Sequence, residues 1–159
     1  MMYDGSGAFW AAMGVLSFMW FIVFAVFYVL KSLGISALAA NRGLENPWLG
    51  WVPIADLYVL GMLVGSMELF GKRLDNLEII LPVSMLAGFL LVWIPFIGQL
   101  AWLAITVFFV IFTYRLFEMY TDNAMIYTAV SVLLCLFPVF LFIIRNNQPL
   151  FQPPKSGNN

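Results

Sequence analysis

The chain has 159 residues, of which 64% are hydrophobic, 18% aromatic and only 9% charged, with a formal net charge of −1. A soluble domain is about 25% charged, and a water-soluble fold of this length leaves roughly a third of its surface exposed, so this composition excludes an ordinary soluble domain and makes lipid the solvent. The seven Lys and Arg residues are scattered, which argues against nucleic acid. With no histidine and one cysteine, zinc, haem and iron–sulfur sites lack their usual ligands, and no metal or other cofactor is expected.

A bilayer core takes about 20 apolar residues per helix, which allows four or five spans and no separate soluble domain. A single polytopic membrane domain is therefore expected over residues 1–147, with apolar segments at about 8–30, 47–70, 79–96, 99–120 and 125–144, and a disordered polar tail at 148–159. The first segment is longer than the 7–15 residues of a signal-peptide core, and Asp4 precedes it where a signal peptide would be basic, so it is expected to be retained. Lys31 closes this segment. Leu33, Ala37, Ala40 and Leu44 then recur at helical spacing, an extension or interfacial turn that Gly43 should end.

The next segment departs from an ordinary lipid-facing helix. Between Asn46 and Gly61 it holds Pro47, Trp48, Gly50, Trp51, Pro53 and Asp56. Gly71 to Glu78 is a charged connection. Ile79 to Phe96 is a short span with Pro82 near its start and Pro95 near its end. Ile97 and Gly98 turn the chain into Gln99 to Tyr120, and Met125 to Ile144 is a last span in which Pro138 predicts a kink. Cys135, within this apolar run, is expected to be a small buried hydrophobe. Trp51-Val52-Pro53-Ile54 is echoed 42 residues later by Trp93-Ile94-Pro95-Phe96, a pairing of proline-interrupted segments of the kind that marks broken helices in transporters.

The expected fold is thus an all-α integral membrane protein with four transmembrane helices and one broken or re-entrant apolar segment at 47–70; five full spans are the alternative. Re-entry puts Lys31, Arg42, Lys72, Arg73 and Arg115 on one side, against Arg145 and Lys155. Five spans divide them more evenly, with Lys31, Arg42, Arg145 and Lys155 against Lys72, Arg73 and Arg115. The excess of positive charge on cytoplasmic loops favours re-entry, with the N-terminus outside.

Asp56 is the leading polar candidate. A carboxylate at the bilayer centre costs roughly 2.5–3.5 kcal/mol on insertion scales, and Pro53 leaves carbonyls unpaired one turn before it. Asp56 is expected either to face an internal cavity as a proton or cation site or to cap a helix and pair with a Lys or Arg. Arg115 is one candidate counter-ion, although Arg115 and Glu118, three apart on one helix, can also pair with each other. Trp48, Trp51, Trp93, Trp102, Tyr58, Tyr114 and Tyr120 fit interfacial aromatic belts. Gly61 and Gly65 form a G-x-x-x-G pattern that permits close helix approach. No nucleophile elbow, paired intramembrane carboxylates or Gly-rich phosphate loop is present, so no catalytic residues are expected.

The run from Asn41 to Gly61, with its Arg42-Gly43-Leu44 lead and its Pro47-Trp48 and Trp51-Val52-Pro53 core, resembles a motif of uncharacterised small polytopic membrane proteins of clostridia and related bacteria. Tyr114 to Tyr120 and Pro138 to Asn147 resemble the same family. That family often has Asn where this chain has Asp56, which favours a structural role for the position. The resemblance implies a multi-pass protein of the bacterial cytoplasmic membrane and carries no activity with it. The expected function is non-enzymatic: an assembly, scaffold or accessory subunit whose partners are the lipid bilayer and another membrane protein or a second copy. A small oligomeric transporter or channel using Asp56 is the alternative.

Overall fold

The computed structural model describes residues 5–69 and 71–150. Within them the chain is helical: α1 (Gly5–Asn41), a 3₁₀ turn (Pro47–Trp51), α2 (Ala55–Val64), α3 (Leu77–Leu91), α4 (Ile97–Tyr120), α5 (Ala124–Leu134) and α6 (Phe137–Ile144). Two helices, residues 7–41 of α1 and Ile97–Tyr120, are long and apolar enough to cross a membrane.

α1 does not stop at Lys31. Nothing between Gly5 and Asn41 breaks a helix, and its 37 residues extend about 55 Å. It ends at Gly43, as the sequence predicts. Gly43 takes φ +65° and donates to the Ala40 carbonyl, while the Leu44 N–H reaches back to Ala39, each bond 3.0 Å long. These two bonds satisfy carbonyls that the helix end would otherwise leave open.

The segment 47–70 is broken. The 3₁₀ turn gives way at Val52 to extended backbone, and α2 starts only after Ile54 and stops at Gly65 (φ +73°). Ten helical residues reach about 15 Å, half of a bilayer core. The charged connection beyond it begins as a small antiparallel hairpin, β1 (Met67–Leu69) with β2 (Lys72–Leu74), in which Glu68 stands opposite Arg73.

The segment 125–144 is also not one kinked helix. Cys135 adopts a left-handed conformation (φ 53°), α5 ends before it, and α6 starts anew at Phe137. Pro138 occupies the first turn of α6, where its missing N–H costs nothing, so it opens a helix instead of kinking one. Cys135 is accordingly exposed at the break and not buried.

The core lies at one end of the molecule. Ile35, Leu38 and Ala39 of α1, Val59, Leu60, Leu63 and Val64 of α2, Leu77 and Leu81 of α3, Phe112, Leu116, Phe117 and Tyr120 of α4, and Leu141 and Ile144 of α6 pack together there. Glycines set the closest approaches. A Cβ on Gly61 would run into the backbone of Leu77 and Glu78, and one on Gly34 would lie 2.8 Å from the Leu141 carbonyl carbon. Gly61 therefore does the work expected of it, whereas Gly65 ends its helix.

The C-termini of α1, α2, α4 and α6 meet at this end. The Asn41 amide donates to the Arg145 carbonyl (2.9 Å), Arg42 donates to the Leu63 carbonyl, and the Asn147 amide donates to the Tyr120 carbonyl (2.8 Å). Helix C-termini carry partial negative charge, which Arg42 and Arg145 answer. The Leu150 N–H donates to the Met119 carbonyl at 2.8 Å, so the first residues of the expected polar tail lie against α4. Residues 151–159 of that tail lie outside the described residues. The opposite end is open: α1 from Phe9 to Phe24 presents its large apolar side chains outward, and so do the far ends of α3 and α4.

Candidate functional site

The site forms where the broken segment meets α1. After Gly43 the chain runs back along α1, with Gly50 seated against Ile35 and Ser36, and the Ser36 hydroxyl donates to the Pro47 carbonyl at 3.0 Å. A side chain at Gly50 would press on this face, its Cβ 3.0 Å from the Ile35 methyl. Pro53 cannot donate a backbone hydrogen bond, and the extended chain around it leaves the Trp51 carbonyl free. The Tyr28 hydroxyl donates to that carbonyl.

Asp56 sits in the first turn of α2, where a carboxylate suits the helix dipole. It is 4% exposed. One carboxylate oxygen accepts the Leu57 N–H at 2.8 Å, and the other is paired with the Lys31 ammonium. The Lys31 nitrogen also lies 5.3 Å from the centre of the Tyr28 ring, within cation–π range. Tyr28, Lys31, Trp51, Pro53 and Asp56 thus form one cluster that ties the broken segment to α1. Asp56 accepts a first-turn N–H of α2, whose N-cap position is Ile54, and serves as the ion-pair partner of Lys31.

Arg115 is not its counter-ion. It pairs with Glu118 at 2.7 Å on α4, as their spacing predicts. Both side chains are more than a third exposed, and such a pair contributes about 0–1 kcal/mol. Arg42 serves the α2 C-terminus instead, beside the buried Tyr120 hydroxyl. Tyr120 is therefore a core residue and not part of an aromatic belt. Trp48, Trp51, Trp93, Trp102, Tyr58 and Tyr114 are all exposed.

Sequence reasoning missed Lys31, and a signal was available. The helical pattern that continues to Leu44 places Lys31 about three turns short of the helix end, too deep to be a terminal anchor. A cation at such a depth calls for an acidic partner. Tyr28 and Ser36 left no comparable trace, because their partners are main-chain carbonyls freed by the break.

Among the described residues no group of three or more His, Cys, Asp or Glu side chains is placed to hold a metal ion. A carboxylate closed off by an ammonium and an amide can lock two segments together; it holds no nucleophile and no base aimed at open space. No family model, curated protein or solved structure matches this chain.

Proposed function

We propose that the chain is a multi-pass protein of the bacterial cytoplasmic membrane in which α1, α3 and α4 cross, while residues 42–64 and 124–144 enter from the cytoplasmic face and return to it. The observation that carries this is the placement of charge. Arg42, Lys72, Arg73, Arg115 and Arg145 all belong to the end where the helix C-termini meet, and among the described residues no Lys or Arg belongs to the other. Cytoplasmic loops carry the excess of Lys and Arg, so this end faces the cytoplasm and the N-terminus the outside. The bias is sharper than spacing alone implied, because α6 turns back and brings Arg145 to the basic side.

Within that frame the protein serves as a non-enzymatic assembly or accessory subunit. Asp56 is committed to Lys31 and to the Leu57 N–H, and the outer half of α1 offers an apolar, aromatic face to another membrane protein. A transporter is the second reading, favoured by two broken segments of similar reach, as in proteins that bind substrates between half-helices.

Single cysteines introduced at Lys72, Arg145 and Trp93, with Cys135 first replaced by alanine, test the topology in intact cells. Positions 72 and 145 should resist an impermeant maleimide and position 93 should react. Labelling of position 72 from outside overturns the arrangement. Ion flux into proteoliposomes separates the two roles: the accessory reading expects none, and flux abolished by Asp56→Asn would establish the transporter.

A further inference from the structure

A cavity of about 330 Å³ lies between α3, α4 and the α5–α6 break, and none of its lining residues belongs to the Asp56 cluster. That volume falls at the lower edge of the roughly 300–1,000 Å³ typical of small-molecule pockets. Its wall is almost wholly apolar, with Trp102, Ile105 and Phe109 of α4 on one side and Val132 and Phe137 on the other.

The hydroxyls at this wall behave differently. The Thr106 hydroxyl donates to the Trp102 carbonyl one turn back at 2.8 Å, the usual solution for a hydroxyl in an apolar helix. Nearby Thr128 does the same with Ala124. Ser131, 3% exposed and part of the cavity lining, has a buried hydroxyl with no hydrogen-bond partner. An orphaned hydroxyl carries a desolvation cost that a ligand group at the same place would remove.

We infer that this cavity is a binding site for a single-chain amphiphile, an alkyl or isoprenyl chain bearing one hydroxyl or carbonyl group that pairs with Ser131. The apolar wall takes the chain and Ser131 selects the polar group. A phosphate or carboxylate head has no cationic partner among the lining residues. Cys135, the single cysteine of the chain, lies one turn beyond Ser131 on the same wall and reports occupancy without any added label site. The inference rests on the membrane reading for where the ligand comes from, but its test does not need that reading.

The probe is a photoreactive hexadecanol carrying a diazirine in its chain, compared with the corresponding alkane, on purified protein in detergent. The alcohol should crosslink saturably to peptides holding Trp102 to Thr113 and Ser131 to Phe137. It should slow alkylation of Cys135 and outcompete the alkane about fivefold, the ratio that one net hydrogen bond supplies. Ser131→Ala should abolish the preference and leave alkane labelling unchanged. Val132→Trp, which fills the cavity, should remove labelling by both.

Labelling spread evenly over exposed positions such as Phe89 and Leu90 overturns the proposal, as does a preference that survives Ser131→Ala. A separate carbonate extraction of membranes keeps the two readings apart: a protein that washes off fails the membrane reading, whatever the probe shows.

Discussion

The two Trp-x-Pro corners share a backbone and differ in what surrounds it. After Pro53, Ile54 takes φ 74° and ψ −45°; after Pro95, Phe96 takes φ 64° and ψ −52°. Both are conformations that L residues rarely adopt, and both open a helix. The hydrogen bonds repeat at the same 42-residue offset. Val52 donates to Leu49 as Ile94 donates to Leu91, each at 3.0 Å, and Asp56 donates to Val52 at 3.0 Å as Gly98 does to Ile94 at 2.8 Å.

The side chains then diverge. At the first corner Asp56 reaches Lys31 and Tyr28 reaches the Trp51 carbonyl. At the second, Gly98 fills the place of Asp56 because a Cβ there would lie 2.6 Å from the Leu91 carbonyl oxygen. Trp93 and Phe96 stand about four-fifths exposed. One turn geometry thus serves twice: once as a joint held by charge inside the molecule, and once as an outer bend.

The comparison can be broken at four points. The largest effect is expected at Gly61, whose counterpart at the second corner is the exposed Leu103. Gly61→Val forces α2 off α3 and should cost about 3 kcal/mol, read as unfolding in detergent, whereas the same measurement on Leu103→Val should move by less than about 0.5 kcal/mol. Equal losses would mean that the corners carry equal load.

Asp56→Ala comes next. Breaking a fully buried pair costs about 3–5 kcal/mol, and Lys31, a quarter exposed, lowers the expectation to about 2 kcal/mol. Adding Lys31→Met should restore most of that, and a double variant weaker than Asp56→Ala would show that the pair is not the cause. Tyr28→Phe removes one hydrogen bond and should cost about 1 kcal/mol by the same assay. Trp93→Ala, at the outer bend, should change stability by less than about 0.5 kcal/mol; a larger loss would reveal contacts that this bend makes with the rest of the molecule.

The two helices long and apolar enough to cross a membrane, the end of α1 at Gly43 and the break around Pro53 were all legible from composition and local turn chemistry. The pairing of Arg115 with Glu118 was too, because it is local. The partner of Asp56 was not, since Lys31 lies 25 residues earlier and is brought close only by the chain doubling back. The break at Cys135 also left no trace. An apolar run with a proline three residues beyond looks the same whether the helix kinks or stops, and packing of Phe137 and Phe140 on Phe117 decides it. The 42-residue echo was visible in letters, but only the backbone angles make it a structural repeat.

The exposed outer half of α1 bears on how the fold comes together. Among the described residues, 7–26 are all exposed, so this part of the helix does not depend on the later helices for its packing. Lys31 gains its ion-pair partner only once Asp56, 25 residues later, has been synthesised. Among the described residues that bond is the one ion pair that ties α1 to later sequence, so the charge of the first helix is balanced only by the segment that doubles back on it.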